Sequence, residues 1–268
     1  MPSGKRARET RRTAVPKAPP APGARRQASP RVLAIGGAVV MVVIVAIVLG
    51  VVLTGGKGAP STSALPTRGS LVNALPGAAD VHAEFSGIRQ SGLFLGAAGA
   101  PARMVEYIDL QCPFCQEFET QVMPGIVSKY VRTGKLEVEV RPIAFIGPDS
   151  VRGRNAMLAA SLQNHAFDFA QLLYDNQQTE NTGWLNDSMV DKAASSIPGV
   201  NPRALVQASD SNALVSIGER VTNQATADKI NSTPSIFVGK AGATPKPVKM
   251  KSATDAATLN AAIEAALG

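Results

Sequence analysis

The chain has two cysteines, Cys112 and Cys115, and both lie in the stretch DLQCPFCQEF, residues 109–118. A pair at this spacing has three chemical uses: a short structural disulfide, part of a metal site, or a reactive dithiol. A disulfide closing so short a loop removes little unfolded-state entropy and is a weak staple. A zinc site needs four ligands, and only His82 and His165 could add histidine nitrogens, neither at ligand-like spacing. A reactive pair needs one stabilised thiolate and a second thiol within reach. Pro113 suits the first position of a helix, where its missing N–H costs nothing. That places Cys112 at the cap, where the helix dipole and free N–H groups stabilise a thiolate. In such settings the first cysteine's pKa falls to roughly 3.5–7.5. Cys115 shares the helix face and can bridge to it. The pattern predicts an exposed attacking thiol at Cys112 and a resolving thiol at Cys115, with the pair itself as the redox group and neither cofactor nor metal beside it.

The elements that must position this pair follow from the apolar pattern. ARMVEYIDL (102–110) reads as a strand buried on both faces, ending just before the cysteines. Met104, Glu106 and Ile108 share one of its faces. Glu106 is therefore a candidate buried acid with a raised pKa, able to exchange a proton with the second thiol; the competing reading is a strand-end acid that reaches solvent or an arginine. A helix is expected from the cysteines to about Arg132, kinked at Pro124 and stopped at Gly134. Glu117 and Glu119 are expected in its first turn, opposing the thiolate. KLEVEVRPI (135–143) is a second strand, residues 150–229 are helical by pattern, and PSIFVG (234–239) and KPVKM (246–250) are short strands. The last segment is a helix with Leu259, Ile263 and Leu267 as its stripe and Ser252 or Thr254 as its cap. This order describes an α/β domain with a mixed sheet and a helical insertion at about 146–229. Asp109 reads as a turn or hydrogen-bonding residue, His82 and His165 as surface or structural histidines, and Trp184 as packing in the insertion.

Charge bounds the partners. Residues 1–31 carry nine Lys/Arg and one Glu, whereas residues 32–268 carry eighteen Lys/Arg and nineteen Asp/Glu. The basic charge is a tail, so a nucleic-acid-binding fold is disfavoured. Residues 1–31, rich in Arg, Pro and Ala, are expected to be disordered. Val32 to Leu53 is an uncharged apolar run that would reach ~33 Å as a helix, enough to span a bilayer core. Its preceding arginines keep the tail cytoplasmic and place the rest outside. A cleaved signal peptide is the rival, but its apolar core would be shorter, about 7–15 residues. Residues 54–79 read as a flexible tether and 80–268 as the folded domain.

VEYIDLQCPFCQEF, the later STPSIFVG and the C-terminal helix together resemble the DsbA-type thiol–disulfide oxidoreductases of the thioredoxin superfamily, over about residues 80–268. The resemblance implies a thioredoxin-like fold carrying an inserted helical subdomain; the one transmembrane helix expected before it, at 32–53, lies outside the resemblance. It implies Cys112 as nucleophile, Cys115 as resolving thiol, and Glu106 as the family's buried acid. It also implies a cis Thr233–Pro234 bond whose backbone binds substrate chain. The expected partners are exported reduced proteins and a membrane redox partner of the DsbB or vitamin-K-epoxide-reductase-like kind. One departure stands out: the dipeptide between the cysteines is Pro113-Phe114, where the best-known oxidases of the family have Pro-His. Phe114 cannot stabilise a thiolate by charge, so a less depressed thiol and a less oxidising disulfide are expected. The same site could serve a reductase or an isomerase, since direction depends on potential and partner. A non-catalytic peptide-binding chaperone would use the groove near Pro234 and dispense with the thiols.

Overall fold

A computed structural model describes residues 65–268. The expected basic tail, the apolar span 32–53 and the first part of the tether lie outside these residues. Among the described residues no helix is long and apolar enough to cross a membrane.

Six strands form one mixed sheet in the order β1-β2-β4-β3-β5-β6. They are β1 (Gln90–Ser91), β2 (Phe94–Leu95), β3 (Ala102–Ile108), β4 (Leu136–Pro142), β5 (Ser235–Lys240) and β6 (Lys246–Pro247). Central β3 runs parallel to β4 and antiparallel to β5. Apolar side chains cover both of its faces: Met104 and Ile108 enter the main core, and Val105 and Tyr107 a smaller cluster with Ile143. Burial on both faces explains its nearly unbroken apolar run. On β4, Glu139 is buried because it is gripped by Arg103 and by Arg141, the latter at 2.6 Å. Arg141 also donates to the Tyr107 hydroxyl at 2.6 Å.

The helix expected from the cysteines to Arg132 is divided. It comprises α2 (Pro113–Gln121), the short α3 (Met123–Ile126) and a π-helical turn over Val127–Val131. Pro124 accounts for the break, since it has no N–H to continue the ladder and its ring clashes with the carbonyl four residues earlier. The π turn closes with Arg132 N donating to Val127 O at 2.9 Å. Gly134, at φ 72°, then stops the helix, and Lys135 N returns to Tyr130 O. Five helices separate β4 from β5: α4 (Pro148–Ser161), α5 (Ala166–Asp175), α6 (Asp187–Ser195), α7 (Pro202–Ser209) and α8 (Asn212–Ala227). Trp184 packs within this group. The final helix, α9 (Ala256–Leu267), is capped by Asp255, which accepts from Thr258 N at 3.2 Å, rather than by Ser252 or Thr254.

Two elements lack an apolar repeat long enough to be read from the sequence: α1 (Ala78–Phe85) and the β1–β2 hairpin. The described part of the segment read as a tether is not free of the domain, because residues 65–77 pack on the insertion. Gly69 N donates to Val200 O and Ser70 N to Ser195 O, at 2.8 and 2.9 Å, and Leu75 N donates to Ser196 Oγ at 2.9 Å. A Cβ at Gly69 would lie 2.2 Å from the Ile197 carbonyl oxygen. Gly69→Ala should therefore detach this segment and cost about 2 kcal/mol, roughly two backbone hydrogen bonds. Hydrogen exchange should rise over residues 66–76 while the sheet stays protected; unchanged exchange there would refute this packing.

Candidate active site

The Cys112 backbone is extended, at φ −71° and ψ 120°, and caps α2, with Pro113 opening the helix. Its N–H donates to Asp109 O at 2.9 Å. The loop from β3 to α2 is tied down by buried polar contacts. The Asp109 carboxylate accepts from the amides of Gln111, Phe145 and Ile146, at 3.0, 2.8 and 3.2 Å. Tyr174 on α5 donates to Asp109 O at 3.1 Å, and Gln177 Nε2 donates to Leu110 O at 3.1 Å. The inserted helices thus brace the loop that presents the thiols.

The two thiols are free and unequal. Cys115 is wholly enclosed, and burial pushes its pKa well above the ordinary value. Cys112 is held down to about 6, first by its hydrogen bond with Cys115 and then by those with Thr233 and the N–H groups of Cys115 and Phe114; burial works against them. Cys112 is not the exposed thiol expected from the sequence, as only 4% of its surface is accessible. Its Sγ lies 3.3 Å from Thr233 O, immediately before the cis Thr233–Pro234 bond. The Phe114 ring points outward, 59% exposed, so this residue reaches the thiolate through its backbone alone. A groove of about 510 Å³ beside it is lined by Phe114, Thr233, Pro234, Ile236, Val248 and Met250, among others.

Glu106 is buried on β3, facing α2, and does not reach solvent. Its pKa is raised to about 8 by loss of hydration, partly offset by a hydrogen bond with Glu119. Glu119 is not in the first turn of α2; it lies one turn beyond Cys115, is itself buried, and is raised well above the usual range by desolvation and by the charges of Glu106 and Glu84. Glu84 on α1 is raised to about 7 by burial and by Asp175. Glu106 Oε2, Glu119 Oε1 and Glu84 Oε1 are buried without hydrogen-bond partners among the described residues. Sequence reasoning placed Glu119 in the first turn beside the thiolate and missed its pairing with Glu106, although its spacing from Cys115 sets it on the same helix face. His82 is exposed, and His165 Nδ1 lies 3.3 Å from Asp168 Oδ2. Among the described residues, no three of His, Cys, Asp and Glu are grouped as metal ligands.

The raised carboxyls tie stability to pH. A folded state that holds a proton the unfolded state has lost is stabilised below the unfolded value, and that contribution disappears as pH rises through the folded one. Glu106 therefore supports folding near pH 4.5 and loses that support by about pH 8. Glu106→Gln should flatten this decline: its urea midpoint should exceed that of the unsubstituted chain at pH 9 and not at pH 5. Glu119→Gln should act in the same direction. A parallel pH dependence in all three proteins would count against a shared buried proton.

Residues 89–265 match the family model described as Thioredoxin. The probable disulfide bond formation protein D of Bacillus cereus is 27% identical over 164 residues, covering 60% of this chain and 76% of that protein. The disulfide bond formation protein D of Bacillus subtilis is 26% identical over 149 residues, covering 54% and 66%. Among solved structures, oxidised BdbD of Bacillus subtilis aligns with a TM-score of 0.59 at 22% identity, covering 67% of this chain and 97% of that one. DsbA of Chlamydia trachomatis aligns at 0.54 and 19%, covering 65% and 90%. With the family model spanning most of its length, the chain belongs to the thioredoxin family, as a DsbA-like thiol–disulfide oxidoreductase.

Proposed function

We propose that this chain forms disulfides in exported proteins by exchange at Cys112–Pro113–Phe114–Cys115, outside a membrane to which Val32–Leu53 anchors it. The observation that carries the reading is the inequality of the two thiols beside the cis-proline groove: a low-pKa Cys112 next to Thr233 O, above an enclosed high-pKa Cys115. The names of the curated relatives support the direction of exchange. The basic tail followed by an apolar run supports the location.

In the oxidised form a substrate thiolate attacks Cys112 Sγ. The Cys112–Cys115 bond breaks, and Cys115 leaves with the electron pair and takes up a proton. The buried Glu119–Glu106 pair, one helical turn away, suits that transfer. A second substrate thiolate then attacks the substrate's own sulfur and releases Cys112 as a stable thiolate. The substrate loses two electrons and two protons, and the sulfur pair takes the electrons, so the step needs no other cofactor. The backbone at Thr233–Pro234 holds the substrate chain as an added strand. A membrane partner of the DsbB or vitamin-K-epoxide-reductase-like kind re-oxidises the pair.

Cys112→Ser should abolish oxidation of a reduced dithiol peptide, and Cys115→Ser should accumulate a mixed disulfide at Cys112; normal turnover by Cys112→Ser would rule the mechanism out. Thiolate absorbance of the reduced protein should titrate with a midpoint near 6, and a midpoint near 9 would remove the basis for assigning Cys112 as attacker. Phe114→His places an ionisable imidazole in the first turn of α2, two residues from Cys112. It should lower that midpoint by about one unit and make the disulfide about 30 mV more oxidising, as read from equilibrium with glutathione.

A further inference from the structure

The charge around the groove is lopsided. Residues 229–254 hold five lysines and no aspartate or glutamate, whereas the other described residues hold twelve Lys/Arg and nineteen Asp/Glu. This cationic segment contains the cis-proline turn, β5, β6 and the loop after them, so it supplies most of the groove wall, including Thr233, whose carbonyl oxygen lies 3.3 Å from Cys112 Sγ. Lys249 lines the groove, and Lys246 sits on edge strand β6 beside the lining residue Pro247. Both are exposed, and neither forms an ion pair with a described residue. Lys251 lies close to Asp255, whose carboxylate accepts the Lys251 backbone N–H at 3.0 Å. None of the groove-lining residues is acidic.

An apolar trough with an uncompensated cationic rim attracts an anionic chain and repels a basic one. Phe114, Ile236, Val248 and Met250 offer apolar contact for an extended segment, Lys249 lines the same groove, and Lys246 precedes the lining residue Pro247 on the edge strand. Carboxylates next to a substrate cysteine also raise that thiol's pKa and slow its attack, and lysines close by offset this. We propose that the groove selects polypeptide segments bearing aspartate or glutamate beside the reacting cysteine, with Lys246 and Lys249 as the selecting residues. This rests on the exchange reading of the same site.

The test uses the folded chain and three dithiol peptides of equal length whose cysteines are flanked by Asp, Ser or Lys. At low salt the second-order oxidation rate should be about tenfold higher for the Asp than for the Lys peptide, and the ratio should collapse at ~1 M salt, where the Debye length is about 3 Å. The double variant Lys246→Glu, Lys249→Glu should invert the order, whereas Lys192→Glu on α6 should keep it. Equal Asp and Lys rates alongside normal oxidation of the Ser peptide would overturn this inference and leave the exchange reading standing. Failure to oxidise even the Ser peptide would overturn both. If the double variant loses binding to vesicles containing phosphatidylglycerol while the peptide order is unchanged, the lysines serve a lipid surface and the inference is wrong.

Discussion

Cys115 is enclosed on every side, and the chemistry of its neighbour depends on that enclosure. A thiol denied water resists ionising, so Cys115 keeps its proton and offers it as a hydrogen bond to Cys112. The proton retained below stabilises the charge above. Helix α2 makes the pairing possible, since it starts at Pro113 and points Cys115 into the core with Phe118 and Met123. The sheet sets the rest. β3 ends at Ile108, its loop is clamped by Asp109, Tyr174 and Gln177, and β5 brings the Thr233 carbonyl to the Cys112 sulfur.

The same enclosure has an electrostatic cost. Glu106 and Glu119 share a site with too little hydration for two charges, so both carboxyls are pushed toward their protonated forms. Unpartnered oxygens persist there and at Glu84, although buried polar groups are normally satisfied. Such a defect reduces stability at alkaline pH. In the proposed exchange it also holds a proton one helical turn from Cys115, the thiol that would take one up on leaving. Glu139 shows the contrasting case: equally buried, it is neutralised by Arg103 and Arg141 and stiffens the sheet.

On the proposed reading, Phe114 and the lysine-rich wall divide two tasks that a histidine-containing site would combine. The Phe114 ring leaves thiolate stabilisation to backbone and thiol hydrogen bonds, and presents apolar surface at the groove mouth. Positive charge is then set along the opposite wall rather than beside the sulfur. Local thiol reactivity and attraction of the substrate can therefore vary separately.

Much of this was legible in the residues. The cysteine spacing with Pro113 located a capped helix, and the apolar run of 102–110 implied a doubly buried strand, because both are local patterns. Gly134 marked a helix end because the chain needs a left-handed residue there. Contacts between distant segments were not legible. The hairpin at 90–95 and the packing of residues 65–77 rely on partners far along the chain. Asp255 displaced the expected caps because its carboxylate, and not the Ser252 or Thr254 hydroxyl, accepts from Thr258 N. The sequence by itself determined which atoms could exchange electrons and on which helix they sit, since spacing and propensity act over a few residues. Only the tertiary structure decided that Cys112 is nearly covered, that Glu119 joins Glu106, and that the lysines of 246–251 border the thiol's groove. Burial, pKa and field depend on what the fold brings near, and no local pattern encodes that distance.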